Sequence, residues 1–77
     1  MADLNHVKSL IEAAIPQSQV EIADLGGGDH LSVRVTSPAF AGKMLIDQHQ
    51  MVNNAVKHLM ADQTIHALTI KTVVPGK

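Results

Sequence analysis

Three hydrophobic rhythms follow one another along the chain. Leu4, Val7, Leu10, Ile11, Ala14 and Ile15 recur at three- and four-residue steps, the spacing of one helix face. Asp3 or Asn5 stands where a cap is needed and Pro16 ends the pattern, so the spacing predicts a helix over about residues 3–14. Residues 19–24 then alternate polar and apolar, and residues 30–36 do so strictly, which is the period of a strand with one buried face. Leu31, Val33 and Val35 point one way in the second strand; His30, Ser32, Arg34 and Thr36 point the other. Between the two runs lies Gly26-Gly27-Gly28-Asp29, rich in residues that tolerate positive φ, so the pair reads as a β-hairpin.

Ser37-Pro38 ends the second strand, because proline cannot donate to a ladder. Phe40 is expected to plug the core, and Gly42 to permit a turn. From Lys43 to Met60 the period becomes helical again: Leu45, His49, Val52, Val56 and Leu59 draw one stripe, widened by Met44, Met51 and Met60. His49, inside the stripe, reads as a core histidine with one ring nitrogen bonded to backbone. Asp47, Gln48, Gln50, Asn53, Asn54 and Lys57 are assigned to the wet face, with His58 beside them. After Ala61-Asp62-Gln63-Thr64, residues 65–74 are β-branched and alternate once more. Leu68 and Ile70 share one face of this third strand, Thr69 and Lys71 the other. His66 has the parity of Leu68 but stands at the strand's start, where a loop meets the sheet. Parity therefore separates it from His30, which faces away from Leu31.

The order α-β-β-α-β predicts an α/β (α+β) fold. Each strand has one apolar side, so helices pack on one face of a three-stranded mixed sheet, and the last strand returns parallel to a hairpin strand. The reading is of one domain over residues 1–77.

Composition narrows the chemistry. The core of a 77-residue chain is small, and with no cysteine it has neither a disulfide nor a thiolate of its own. That suits a cytoplasmic location. No apolar run approaches a membrane span, and the first fifteen residues lack a signal peptide's basic start and unbroken apolar middle. Six Lys or Arg against seven Asp or Glu, with Phe40 as the one aromatic residue, argue against a dedicated nucleic-acid binder. The glycine run lacks the Lys and Ser or Thr of a phosphate loop and joins two strands. No nucleophile–base pair or paired carboxylates can be assembled, so an enzyme is not expected. Five histidines in so short a chain stand out as the available ligands.

Three blocks carry a resemblance. His30-Leu31-x-Val33-x-Val35-x-Ser37-x-x-Phe40-x-Gly42-Lys43, then His49-x-Met51-Val52-Asn53, then Ile65-His66-Ala67-Leu68-x-Ile70-Lys71-Thr72-x-x-Pro75 are similar to the BolA family in order and spacing. The likeness covers roughly residues 19–75, and the last block is its most specific part. It implies a fold like a class II KH domain and partnership with monothiol glutaredoxins of the Cys-Gly-Phe-Ser type. The pair would share a [2Fe–2S] cluster, ligated by glutaredoxin cysteine, glutathione and BolA side chains, in iron–sulfur trafficking or in iron and redox sensing. It also implies a second function class, a transcriptional regulator that binds nucleic acid through the KH-like sheet. Homodimerisation stays open.

By that resemblance His66 matches the family's histidine ligand. The family's second ligand is a Cys or His in the hairpin loop, but residues 25–29 contain neither, and the nearest candidate is His30. The Arg-His-Arg carried by many members on the long helix is Gln48-His49-Gln50 here, and no Gly-x-x-Gly occurs anywhere. Both departures weaken phosphate contact. Because one chain without thiolates cannot hold a cluster alone, no cofactor is expected on the isolated protein. Lys71 and Lys43 are candidates for an acidic partner or for glutathione carboxylates.

Overall fold

The alternating strands dictate the architecture, since each must bury one side and wet the other. The computed structural model describes residues 3–27 and 30–75. In chain order these form α1 (Leu4–Ala14), β1 (Gln19–Gly26), β2 (His30–Thr36), a 3₁₀ turn (Pro38–Phe40), α2 (Leu45–Ala55), α3 (Lys57–Ala61) and β3 (Ala67–Val73). The sheet order is β1-β2-β3, with β1 antiparallel and β3 parallel to the central strand. This is the predicted α+β arrangement. Among the described residues no helix is long and apolar enough to cross a membrane.

α1 starts where the pattern says it should. The Asp3 carboxylate accepts from the backbone N–H groups of Asn5 and His6, supplying partners to donors that the first turn leaves free. Val7 and Ile11 are buried from the helix and Ile15 from its C-cap, against Val20, Leu31, Val33 and Val35 of the sheet. The helices cover this face only. On the other, Gln19, Glu21 and Ala23 of β1, Arg34 of β2, and Ala67, Thr69 and Lys71 of β3 are exposed.

Phe40 is fully buried, as its position after the Ser37-Pro38 break predicts. Ser37 makes that burial possible: its hydroxyl donates to Pro16 O at 2.7 Å and accepts from Ala39 N–H at 3.1 Å, capping the 3₁₀ turn and tying it to the end of α1. The residue is itself fully buried. Ser37→Ala removes the buried hydroxyl that partners the Pro16 carbonyl and the Ala39 amide, both only partly shielded from water. The expected loss is about 1–3 kcal/mol in urea unfolding; a loss under about 0.5 kcal/mol would mean water replaces the hydroxyl.

The long helix differs from its prediction in four places. It is broken at Val56 (φ −122°, ψ 15°), just after Asn53-Asn54, two weak helix formers. The break keeps Val52, Val56 and Leu59 all in the core. The start of the expected stripe is not buried: Leu45 is 62% exposed, with Met44 and Ile46 exposed beside it. Gly42 (φ 76°) turns the chain into α2, whose Gln48 hydrogen-bonds to Thr72 of β3. Gln48, expected on the wet face, is half-buried. Its amide donates to Phe40 O at 3.2 Å and Lys43 O at 2.9 Å, and its carbonyl accepts from the Thr72 hydroxyl. One side chain thus ties the turn, α2 and β3 together. His49, expected to be buried and bonded to backbone, is half-buried, and its ring makes no hydrogen bond among the described residues. The backbone carbonyls of this turn are taken by its neighbour Gln48 instead.

Candidate functional site

The site is built at one end of the sheet, where the hairpin and the β3 entry meet. Parallel pairing of β2 with β3 sets His30 opposite Ala67, so the start of each strand lies at the same end of the molecule. His66 is the residue just before that pair. His30 lies on the uncovered face with Ser32 and Arg34, as its parity predicts, and is exposed.

The alternation predicts His66 on the covered face with Leu68; the structure overturns this. Ile65 is fully buried and Leu68 half-buried, three positions apart, while His66 and Ala67 between them are both exposed. Period two does not hold across this entry because a tight turn feeds it. The Asp62 carboxylate accepts from Thr64 N–H at 2.9 Å, Gln63 takes a left-handed conformation (φ 65°), and Ile65 N–H donates to Leu59 O at 3.0 Å. The turn presses Ile65 into the core and leaves the next residue facing solvent.

The two imidazoles consequently meet. The rings of His30 and His66 stack with centroids 5.3 Å apart and planes 25° from parallel, within the usual range for stacked rings. The separation expected from strand parity is wrong, and the reason is the Asp62–Ile65 turn. Beside the pair, Leu25, Gly26, His30, Leu31, Ala67 and Thr69 line an open pocket of about 340 Å³. Leu25 sits at a β-bulge between Asp24 and Gly26, is 62% exposed, and forms an apolar rim. Gly26 (φ 145°) lies at that rim with nothing within 4 Å of where a Cβ would sit, so bare backbone faces an approaching molecule there. Gly28 and Asp29 of the predicted turn lie outside the described residues. Neither Leu25 nor Thr69 was expected at the site; only the pairing register, which no local pattern encodes, places them there.

Hydrogen bonds from Thr64, first through its hydroxyl and then through its backbone N–H, together with the charge of His58, hold the Asp62 carboxyl below its usual range. A lowered folded-state value stabilises the turn at pH above the ordinary value of 3.8, and the contribution is lost as pH falls through the folded value. Titrating from neutral pH to about pH 2, the Thr64 amide NMR shift should move with a midpoint below that of a free aspartate. A midpoint at or above 3.8 would contradict this account of the turn.

Comparison with known proteins agrees with the fold and the motif blocks. The family model described as BolA-like protein matches residues 3–77. The protein BOLA2 of Arabidopsis thaliana is 34% identical over 73 residues, covering 92% of this chain and 76% of that protein. The structure of a bolA protein homologue from Coxiella burnetii superposes with a TM-score of 0.80 at 33% identity, over 97% of this chain and 94% of that one. The solution structure of yeast Fra2 gives 0.75 at 33% identity, over 95% and 80%. The chain belongs to the BolA family.

Proposed function

We propose that this protein is a non-catalytic adaptor that docks on a monothiol glutaredoxin and contributes His66 and His30 as ligands to a [2Fe–2S] cluster shared across the interface. The observation that carries the reading is the exposed, stacked pair of imidazoles beside an open pocket. The donor set fits the cluster in chemistry and span. Imidazole nitrogen is a ligand for iron, and in known clusters of this type two histidines can replace two cysteines on one of the two irons. Rings 5.3 Å apart lie within the reach that two imidazoles on one ion need, each metal–nitrogen bond being about 2 Å.

The remaining terminal positions need thiolates. The chain has no cysteine, and among the described residues no group of three or more His, Asp or Glu side chains converges to hold a metal. Glutaredoxin cysteine and glutathione are the donors that the family resemblance supplies. When bound, such a cluster supplies a one-electron centre and a transferable iron–sulfur unit. The protein's own part is to present the two rings already adjacent, on strand ends anchored by Ile65 and Leu31. Imidazole in place of thiolate raises a cluster's potential and weakens its hold, which suits transfer or sensing in iron homeostasis better than storage.

The test is a titration of cluster-loaded monothiol glutaredoxin with this protein, read by visible absorption and circular dichroism. New bands that saturate at one adaptor per cluster are expected. Spectra that remain the sum of the two components would defeat the proposal.

A further inference from the structure

The uncovered sheet face has an order that neither the fold nor the ligand pair requires. Moving along the strands from the histidines, the next cross-strand pair on that face is Ser32 with Thr69, and the next is Arg34 with Lys71. Like charges directly opposite one another on neighbouring strands disfavour the sheet. Among the described residues the acid that pairs with them is Glu21, opposite Arg34 on β1, and its oxygen is 3.7 Å away. Those two side chains are 55% and 73% exposed, so water screens their attraction. Lys71, on the outer strand, makes no ion pair among the described residues. A chain of net charge −1 therefore keeps two adjacent cations against one carboxylate on the single face that no helix covers.

We infer that Arg34 and Lys71 form a docking strip for an acidic face of the protein that brings the thiolates. The inference rests on the adaptor reading above and names the surface chemistry of its partner. Two features point to that occupant. The first is charge: an acidic face neutralises the Arg34–Lys71 repulsion that the free protein carries. The second is continuity. The strip lies four residues along β2 from His30, about 13 Å at the usual strand rise. A standard interface of about 800 Å² per partner spans both. Exposed charges of this kind act chiefly on the encounter, steering the partner so that its thiolates arrive over the imidazoles.

The test uses apo monothiol glutaredoxin, so that ligation plays no part, and the full-length protein as wild type and as the double variant Arg34→Gln, Lys71→Gln. Association and dissociation rates are measured at ionic strengths of about 0.01 M and 0.1 M, where the screening length falls from about 30 Å to about 10 Å. Wild type is expected to lose about tenfold in association rate across that range. The double variant is expected to associate at the slower rate throughout, with dissociation little changed. Its thermal midpoint should stay close to that of wild type, since the change removes a like-charge pair together with the screened Arg34–Glu21 ion pair. Identical rates and salt dependence in the two proteins would overturn the strip while leaving the adaptor reading standing. A lowered midpoint would make the pair structural and overturn it too. Absence of wild-type binding at both ionic strengths would remove the adaptor reading, and the strip with it. Salt-dependent capture of a DNA duplex that the double variant abolishes would assign the strip to phosphate instead.

Discussion

With His66 replaced by alanine, cluster-loaded glutaredoxin is expected to keep its own spectrum on mixing, while the wild-type protein shifts it. The ring is exposed and its removal opens no cavity; the adjacent Ile65, fully buried, still anchors the entry to β3. Far-UV circular dichroism and the melting temperature should therefore stay close to wild type. The loss should be confined to the shared centre. Changing a residue that merely supports a metal ligand costs about 10–100-fold in affinity, so removing a direct ligand should exceed about 100-fold. His30→Ala tests the second donor and should also abolish the new bands if both rings bind one iron. Glu12→Ala, an exposed position on α1 that does not line the pocket, is the control and should change little. Equal spectra from wild type and His66→Ala would show that this imidazole is not a ligand.

Phe40→Ala is expected to unfold most of the protein at physiological temperature. Phe40 is the largest fully buried side chain, and it sits where β2 hands over to α2. Its carbonyl accepts from Lys43 N–H at 3.1 Å and from the Gln48 amide, so the ring's position also sets the turn that starts α2. Truncating a buried phenylalanine to alanine costs about 3–5 kcal/mol. A small domain without disulfide or metal has about that much stability in all. Phe40→Leu keeps most of the volume and should cost less than about 1.5 kcal/mol. Urea unfolding followed by far-UV circular dichroism measures both, the chain having no Trp or Tyr for fluorescence. A loss below about 1 kcal/mol for Phe40→Ala would mean that the core closes without the ring.

Much of this molecule is readable locally. The start of α1 at Asp3 or Asn5 (the structure takes Asp3), the stop at Pro16, both hairpin strands and the burial of Phe40 follow from neighbours within a few positions, because helix period, strand period and proline's missing donor are local properties. The errors occur where a distant segment decides. Leu45 has the spacing of a core residue, yet the fold leaves it exposed at the start of α2. Gln48 looks like a solvent residue until Thr72 and the Phe40 carbonyl stand on either side of it. His66 has the parity of Leu68, but the turn at Asp62–Thr64 resets the alternation after Ile65.

The amino-acid pattern by itself determined where the helices and strands lie and which side of each strand is apolar, because alternation and spacing are properties of a few neighbouring residues. The resemblance of its motif blocks to the BolA family, and not that periodicity, singled out His66 and with it His30. The tertiary structure alone decided that the two imidazoles touch, that Leu25 and Thr69 rim a pocket beside them, and that Arg34 lies against Lys71. Those residues are 36 or more positions apart across the β2–β3 pairing, and strand register is settled by the packing of the whole core.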